Sequence, residues 1–172
     1  PVWTGNNEAL KQKTTQLLQD GKVFAFGLSE KEHGADIYSS EMALYPQGDG
    51  SYLARGRKYY IGNGNEAAIT SMFGKMADTG EYVFFATDSQ HDAYDCVKNT
   101  VNGSNYVAEI ALHDYLITDE DIMERGPKAW DNMLNTINVC KFNLGFGSLG
   151  LCTHAFYEAL DHAAGRSLYK GY

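Results

Sequence analysis

The pattern of hydrophobic and polar residues divides the chain into a helical start, a central region of short strands and a helical end. At the start, apolar residues recur at helical spacing, at Leu10, Leu17 and Leu18. Asn6 or Asn7 is a suitable N-cap ahead of them, because an asparagine side chain can accept a hydrogen bond from the first turn. The pattern therefore predicts one amphipathic helix over residues 7–20.

The central region, from residue 23 to about residue 116, alternates short runs rich in β-branched and aromatic residues with turn signals. The predicted strands cover residues 23–28, 41–45, 52–54, 58–61, 71–76, 82–87 and 106–112. Gly48-Asp49-Gly50 separates the second strand from the third and predicts a hairpin there. Residues 114–125 are acidic and predict a solvated turn, since they lack the ligand spacing of an EF-hand loop.

The last part of the chain, from residue 129 to about residue 166, contains no proline and shows a helical apolar pattern. It predicts one long helix, or two helices with a kink. The middle carries Gly145, Gly147 and Gly150, and glycine inside a helix costs about 1 kcal/mol each relative to alanine. Such residues persist where another backbone or a ligand lies close. We therefore expect this helix to pack against helices outside the sequence or supplied by another subunit.

These elements together predict an α+β fold that is mainly β. The expected architecture is an antiparallel β-sandwich or barrel-like middle domain, with an N-terminal helix before it and a long C-terminal helix after it. The chain opens at Pro1 and stops at Tyr172 soon after the long helical pattern. We expect it to be a fragment of a larger protein.

Composition excludes several classes of function. The 172 residues are 44% apolar and 21% charged, with a net charge of -8, and the Lys and Arg residues do not cluster, which argues against nucleic-acid binding. Because the sequence has neither an apolar run of about 18 residues nor a signal pattern, we expect no membrane association and a cytoplasmic location. The spacing of the three cysteines and five histidines indicates neither a disulfide framework nor a metal site.

Two segments carry the candidate chemistry. The first, Phe24 to Asp36, reads Phe-Ala-Phe-Gly-Leu-Ser-Glu-Lys-Glu-His-Gly-Ala-Asp, and the second, Lys58 to Gly64, reads Lys-Tyr-Tyr-Ile-Gly-Asn-Gly. They resemble the flavin-binding middle domain of the acyl-CoA dehydrogenase family. There the segments read like Phe-Ala-x-Thr-Glu-x-x-x-Gly-Ser-Asp and Asn-Gly-x-Lys-x-Trp-Ile-Thr-Asn-Gly. The matching residues are Leu28, Ser29, Glu30, Gly34, Asp36, Gly56, Lys58, Ile61, Asn63 and Gly64.

The resemblance extends over nearly the whole chain and implies its domain organisation. Residues 1–21 would be the last helix of an N-terminal helical domain, residues 22–128 the middle β domain, and residues 129–172 the start of a C-terminal helical bundle. Family members assemble mostly as tetramers or dimers, so a homo-oligomer is implied for the full-length protein.

The resemblance also implies an activity. The family oxidises an acyl-CoA thioester to the trans-2-enoyl-CoA in fatty acid metabolism. A carboxylate removes the α proton, N5 of FAD accepts a hydride from the β carbon, and an electron-transfer flavoprotein or similar acceptor takes up the electrons. Most members carry the base in the C-terminal bundle, and in a minority it lies at the position of Cys140. We therefore expect no catalytic residue in this chain, a base beyond Tyr172, and an inactive fragment.

The positions that match the family's binding residues follow. The implied FAD-binding residues are Phe26, Leu28, Ser29, Gly34, Ala35, Tyr60, Gly62, Arg166 and Tyr169. The implied substrate-binding residues are Ala35, Asn138 and Lys141. Arg166 stands where an arginine reaches the pyrophosphate of a neighbouring subunit's FAD, a role that suits its bidentate guanidinium.

Three departures from the family pattern leave alternatives open. Ala35 replaces a serine, Tyr60 a tryptophan, and Gly62 a threonine or serine. A lost neutral hydrogen bond costs about 0.5 to 1.5 kcal/mol, which weakens flavin binding without forbidding it. The altered position near N5 makes a flavin oxidase or monooxygenase of the same superfamily one alternative. The missing base makes a non-catalytic β-sandwich binding module another.

Overall fold

The computed structural model describes residues 1–102 and 105–171. It divides into two compact units, Pro1–Met133 and Leu134–Tyr172. The first unit contains helix α1, Glu8–Gln19, and a sheet, and the second consists mainly of the later part of helix α2, Gly126–Gly165. None of the helices in the described ranges combines the length and apolarity needed to cross a bilayer.

Helix α1 confirms the first predicted helix and selects Asn7 as its N-cap. The Asn7 side chain accepts a hydrogen bond from the Leu10 amide at 2.9 Å. Its amide group also donates to the carbonyl oxygens of Glu120 at 2.7 Å and Ile122 at 3.0 Å. The cap therefore both satisfies the first turn and fastens the helix to a distant loop.

The sheet has eight strands within the described residues. They are β1 Phe24–Gly27, β2 Ala43–Pro46, β3 Tyr52–Gly62, β4 Ile69–Met76, β5 Tyr82–Thr87, β6 Tyr94–Asn102, β7 Asn105–Ile117 and β8 Ile122–Arg125. Their order is β6-β7-β3-β2-β4-β5-β8, and β1 pairs with β4 off this path. The pairing is antiparallel except for β1 with β4 and β2 with β4. The predicted fold class, a mainly antiparallel β domain flanked by helices, is confirmed.

The predicted hairpin is confirmed as well. Strands β2 and β3 pair antiparallel, with Tyr45 opposite Leu53. Gly48 and Gly50 in the turn have φ values of 85° and 89°. These left-handed values are accessible to glycine at little cost, which is why the Gly-Asp-Gly sequence marks the turn.

Four details of the strand prediction are wrong. Strand β7 was predicted to end at residue 112, but it runs to Ile117 and enters the segment predicted as a turn. Residues 52–54 and 58–61 form the single strand β3, because a bulge at Ala54/Gly56 interrupts the apolar pattern without ending the pairing with β7. Strand β6 was not predicted, since it is an exposed edge strand rich in polar residues. Strand β8 lies within the acidic segment predicted as a turn, where the buried side chains of Ile122 and Met123 belong to a strand paired with β5.

Most of the buried core side chains come from the strands of the sheet. The fully buried side chains of the core include Phe73, Phe84, Phe85, Met42, Leu44, Ile61, Ile69, Met72, Ile110 and Ile117. Met42 lies against two glycines of neighbouring strands. A Cβ on Gly56 would come within 2.8 Å of the Met42 Cα, and one on Gly74 within 2.7 Å of the Met42 carbonyl oxygen. The close approach of three backbone segments here therefore requires glycine at both positions.

Helix α2 is continuous, which confirms the single long helix and moves its start from residue 129 to Gly126. Its first two turns belong to the first unit, where Ala129 and Met133 are fully buried. The Trp130 ring stacks on Tyr38 at 4.7 Å between centroids and lies 4.9 Å from the Tyr82 ring. An aromatic cluster thus fixes the beginning of the helix within the first unit.

Most of the described side chains in the second unit are exposed. The side chains described between residues 138 and 169 are all exposed, and Gly145, Gly147 and Gly150 have open space where a Cβ would stand. The packing of helix α2 against further helices stays a prediction.

The contrast between two glycines of β3 gives a test of the core. Replacing Gly56 by alanine places a Cβ against the Met42 backbone at a φ of 145°, so we expect the free energy of unfolding to fall by about 1–3 kcal/mol. Gly62→Ala is the matched control, because nothing lies within 4 Å of its Cβ position. Its change should stay within about 0.5 kcal/mol. Urea denaturation measures both, and equal losses would contradict the close approach at Gly56.

Candidate functional site

The two sequence segments that carry the candidate chemistry lie side by side in the first unit. Residues 28–30 follow β1, and Lys58 and Tyr59 lie in the last part of β3. The Tyr59 amide donates to the Ser29 carbonyl oxygen at 2.8 Å. The Lys58 ammonium donates to the Leu28 carbonyl oxygen at 3.0 Å and to Glu30 Oε1 at 2.7 Å. Three consecutive residues of the loop are therefore fixed to two consecutive residues of the strand.

The contact between Glu30 and Lys58 is a buried ion pair. The side chains are 7% and 0% exposed, respectively. The Glu30 carboxylate also accepts hydrogen bonds from the Ser40 hydroxyl at 2.6 Å and from the amides of Glu41 at 2.8 Å and Met42 at 3.3 Å. Because every donor is directed at one carboxylate, the pair joins the loop after β1, the segment before β2, and β3.

The electrostatics keep both groups charged at neutral pH. Burial alone would raise the pKa of Glu30, but the Lys58 charge and the hydrogen bonds from the Glu41 amide and the Ser40 hydroxyl outweigh it, so its pKa lies below the ordinary value. Burial lowers the pKa of Lys58 to about 8, against the attraction of Glu30. A lysine with that pKa is still mostly protonated at pH 7.

The residues beyond Lys58 turn outward at a bulge. The register between β3 and β7 shifts between Lys58 and Ile61, and Tyr60 has a φ of 64°. A non-glycine residue in the left-handed region costs about 1–3 kcal/mol and tends to occur at functional sites, where the surrounding structure imposes it. The bulge leaves Tyr60 53% exposed. Gly62 follows it at the surface with open space around its Cβ position.

A cavity of about 350 Å³ adjoins these residues. Its lining residues are Tyr59, Tyr60, Lys98, Thr100, Val101, Val107, Ala108 and Glu109. Aromatic and aliphatic side chains with a few polar groups are typical of small-molecule sites. The end of β3 and the paired strands β6 and β7 together therefore offer a concave surface beside the exposed Tyr60.

The loop between residues 30 and 37 exposes its main chain. Gly34 has a φ of 47°, and its amide donates to the Glu30 carbonyl oxygen at 3.3 Å. The Ala35 carbonyl oxygen accepts from the Ile37 amide at 3.1 Å. Within the described residues, the Ala35 amide and the Ser29 hydroxyl make no hydrogen bond, and both residues are exposed. The Ala35 amide and the Ser29 hydroxyl are therefore available to a ligand.

The structure places the candidate residues of the first unit on β1, in the loop after it and in the last part of β3, and the others on the second unit. Phe26, half-buried at the end of β1, packs edge-on against Phe84 at 6.0 Å, and Leu28 and Ser29 follow it. Asn138 and Lys141 lie three residues apart on α2 and therefore share a face. Arg166 directly follows α2, and Tyr169 begins a short 3-10 helix. The described residues contain no cluster of His, Cys, Asp or Glu side chains able to hold a metal ion.

Sequence reasoning matched Glu30 and Lys58 to the family's motif but gave neither residue a role. A signal was present in both segments. Glu30 lies two residues after the end of an apolar run, and Lys58 stands within a predicted strand. Charged residues are almost never fully buried unless they are paired, so a lysine inside a strand that becomes buried requires an acidic partner.

The lowered pKa of Glu30 predicts a pH-dependent stability. Because the folded-state pKa lies below the ordinary value of 4.5, the ionised carboxylate stabilises the fold fully above that value, and the stabilisation is lost as the pH falls through the folded-state pKa. At pH 7, Glu30→Gln leaves the buried Lys58 charge without its partner and should cost about 3–5 kcal/mol. The difference between wild type and variant should narrow on acidification, as measured by urea denaturation from pH 7 to pH 3.

The exposed ion pair between Arg125 and Asp119 supplies the control. Its atoms are 2.9 Å apart, but the Asp119 side chain is 80% exposed. Asp119→Asn should therefore change the free energy of unfolding by at most about 1 kcal/mol. A loss from Glu30→Gln that stays constant down to pH 3 would contradict a stabilising ionised Glu30.

No family model matches the chain. A short-chain-specific acyl-CoA dehydrogenase of Megasphaera elsdenii is 24% identical over 173 residues, which cover 96% of this chain and 45% of that protein. The chain thus spans less than half the length of this curated relative.

Solved structures share the fold. Butyryl-CoA dehydrogenase from Megasphaera elsdenii matches with a TM-score of 0.90 and 22% identity, over 99% of this chain and 46% of that chain. An acyl-CoA dehydrogenase from Bacillus anthracis, complexed with FAD, matches with a TM-score of 0.86 and 23% identity, over 96% of this chain and 29% of that chain. This curated relative and these solved structures are acyl-CoA dehydrogenases, the family that the sequence resembles, and the solved structures show that the chain shares their fold.

Proposed function

We propose that this chain is the flavin-binding part of an FAD-dependent acyl-CoA dehydrogenase. The observation that carries the proposal is the junction between the two motif segments. Glu30 and the Ser29 carbonyl oxygen are fixed to Lys58 and the Tyr59 amide, and the neighbouring Tyr60 lies exposed on the same strand. In the resembling family, these two segments form the wall against which FAD binds.

The residues present fit the cofactor. The Ser29 hydroxyl and the Ala35 amide are donors without a hydrogen bond among the described residues, and the space beside Gly62 is open. We assign Phe26, Leu28, Ser29, Tyr60 and Gly62 to the isoalloxazine ring. We assign Gly34 and Ala35 to the pyrophosphate of FAD, and Arg166 and Tyr169 to the FAD of a neighbouring subunit.

The proposed reaction oxidises an acyl-CoA thioester to the trans-2-enoyl-CoA. Bound FAD would supply the hydride acceptor. The chain's own residues would bind and orient the ring through Ser29, cover it with the aromatic side chain of Tyr60, and contact the substrate through Ala35, Asn138 and Lys141. Cys140 offers no carboxylate, so we assign the base that removes the α proton to a part of the protein beyond Tyr172.

The remaining partners follow from the same proposal. The electrons would pass to an electron-transfer flavoprotein or a similar acceptor, and the full-length protein would be a dimer or tetramer in the cytoplasm with a role in fatty acid metabolism. The three regions 1–21, 22–128 and 129–172 would belong to the N-terminal helical domain, the middle β domain and the C-terminal bundle, respectively.

The direct test uses the full-length protein. After purification, we expect a flavin absorption band, and anaerobic addition of a series of acyl-CoA thioesters should bleach it because the substrate reduces the flavin. A protein that takes up no flavin from added FAD would contradict the proposal. The third possibility, a non-catalytic binding module, predicts that outcome, together with an Arg166→Ala variant indistinguishable from wild type.

A flavin oxidase of the same superfamily is the second candidate, and the open space at Gly62 favours it. In the resembling dehydrogenases a hydroxyl residue stands at this position, near N5, and here only backbone does. An oxidase would release hydrogen peroxide steadily from acyl-CoA and oxygen without an added acceptor. A dehydrogenase would turn over only when an acceptor is supplied.

The same position gives a graded test of the flavin contact. Gly62→Thr should fit, because nothing lies within 4 Å of the Cβ position, and it adds the hydroxyl that the chain lacks. Gly62→Val is the matched control, with the same branched shape and no hydroxyl. One neutral hydrogen bond is worth about 0.5–1.5 kcal/mol, so threonine should bind FAD about 2- to 10-fold more tightly than valine. Fluorescence titration of apoprotein with FAD measures the ratio, and equal affinities would contradict a flavin at Gly62.

A further inference from the structure

The buried pair Glu30–Lys58, called the clamp below, joins the loop after β1 to strand β3 and holds several groups at once. The Lys58 ammonium has three donors, and it lies 2.7 Å from Glu30 Oε1, 3.0 Å from the Leu28 carbonyl oxygen and 3.4 Å from the Ser40 hydroxyl oxygen. An ammonium with three acceptors around it has no freedom to rotate without losing a hydrogen bond. The clamp therefore defines an orientation as well as a contact.

Stability alone is a weak reason for such a pair. Desolvating two charges costs about as much as their attraction returns, and replacing a buried ion pair by apolar residues of similar volume is often neutral or stabilising. The surroundings would accept apolar side chains, since Met42 beside the pair is fully buried. Among the other ion pairs in the described part of the chain, each has at least one side chain that is more than half exposed. The buried position of this pair therefore suggests a directional role.

The groups that the clamp orients are those that face outward. Ser29 stands between the two loop residues that Lys58 holds, and its own carbonyl oxygen accepts from the Tyr59 amide at 2.8 Å. Its peptide is thus fixed while its hydroxyl stays exposed. On the strand, Lys58 and Tyr59 are the two residues before Tyr60, whose left-handed backbone must be imposed by its surroundings.

We infer that Glu30 and Lys58 are positioning residues, which hold the Ser29 hydroxyl and the Tyr60 ring in the orientation that receives the flavin ring. The inference rests on the proposed function for its ligand, whereas the fixed loop is a property of the protein without flavin. It assigns the buried pair a role in cofactor binding, although neither side chain lies at the exposed surface of the site.

The test separates orientation from stability in the full-length protein. The variants are Glu30→Gln, Lys58→Met and the double variant that carries both changes. Each single variant leaves one buried partner unmatched and should lower stability, whereas the double variant removes both charges and should regain most of the loss. Ile117→Ala is the control, because Ile117 is fully buried at the far end of β7, opposite Tyr52, and its truncation destabilises the fold without touching the clamp.

Two measurements are made on each variant. One is the dissociation constant of FAD from the apoprotein, and the other is the hydrogen-exchange rate of the Tyr59 amide without flavin. In the double variant, we expect FAD to bind about 10- to 100-fold more weakly, as for residues that orient ligand-binding groups. Its Tyr59 amide should exchange faster even though stability has recovered. Ile117→Ala should keep the wild-type dissociation constant despite its lower stability.

The opposite results overturn the inference. If the double variant binds FAD with wild-type affinity, or if the affinities of all variants follow their stabilities, the pair has no positioning role. If the wild-type protein binds no FAD, the proposed function fails, and the exchange rate still decides whether the pair fixes the loop. An unchanged Tyr59 rate in the double variant overturns the inference in that case too.

Discussion

The buried ion pair between Glu30 and Lys58 is the constraint on which the candidate site depends. It connects the loop after β1, the segment before β2 and the last part of β3, which are separate in sequence. Both side chains are almost fully buried, so each charge is stabilised by the other. The geometry of the loop and of the strand is therefore set jointly, and neither segment forms the site alone.

The exposed residues of the candidate site match the pattern of the resembling family at some positions and depart from it at others. Ser29 still offers a hydroxyl, while Ala35 offers only a main-chain donor and Gly62 only backbone and open space. Tyr60 keeps an aromatic face at a strained position of the bulge. A flavin bound here would therefore rely more on main-chain donors and aromatic packing than on side-chain hydroxyls.

How much could be predicted from the sequence depends on how local each signal is. Helix α1 and strand β5 follow from capping and apolar runs that lie close together, and their observed bounds agree with the predicted ones within one residue at each end. The Gly-Asp-Gly hairpin follows from its turn residues. Strand β6 is polar on its exposed edge, and β8 is hidden among acidic residues, so neither shows the alternation that marks a strand. The Glu30–Lys58 contact joins residues 28 positions apart, which no periodicity can pair.

The candidate site likewise combines features that local sequence signals predict with features that depend on the folded structure. Motif spacing identified the segments that meet, but the exposure of Tyr60 depends on a bulge between β3 and β7, and the spare Ala35 donor depends on the loop's own hydrogen bonds. The roles of Asn138, Lys141, Arg166 and Tyr169 depend on an assembly with further helices or subunits. Those roles stay predictions that follow from the resemblance.

The measurement that tests the account most directly is a crystal structure of the full-length protein with FAD. The account predicts the isoalloxazine ring beside Tyr60, with the Ser29 hydroxyl about 2.6–3.0 Å from a polar ring atom and the Ala35 amide about 2.7–3.2 Å from a pyrophosphate oxygen. Glu30 and Lys58 should stay paired in this complex. A flavin bound elsewhere, with Ser29 and Tyr60 in contact only with solvent, would contradict it.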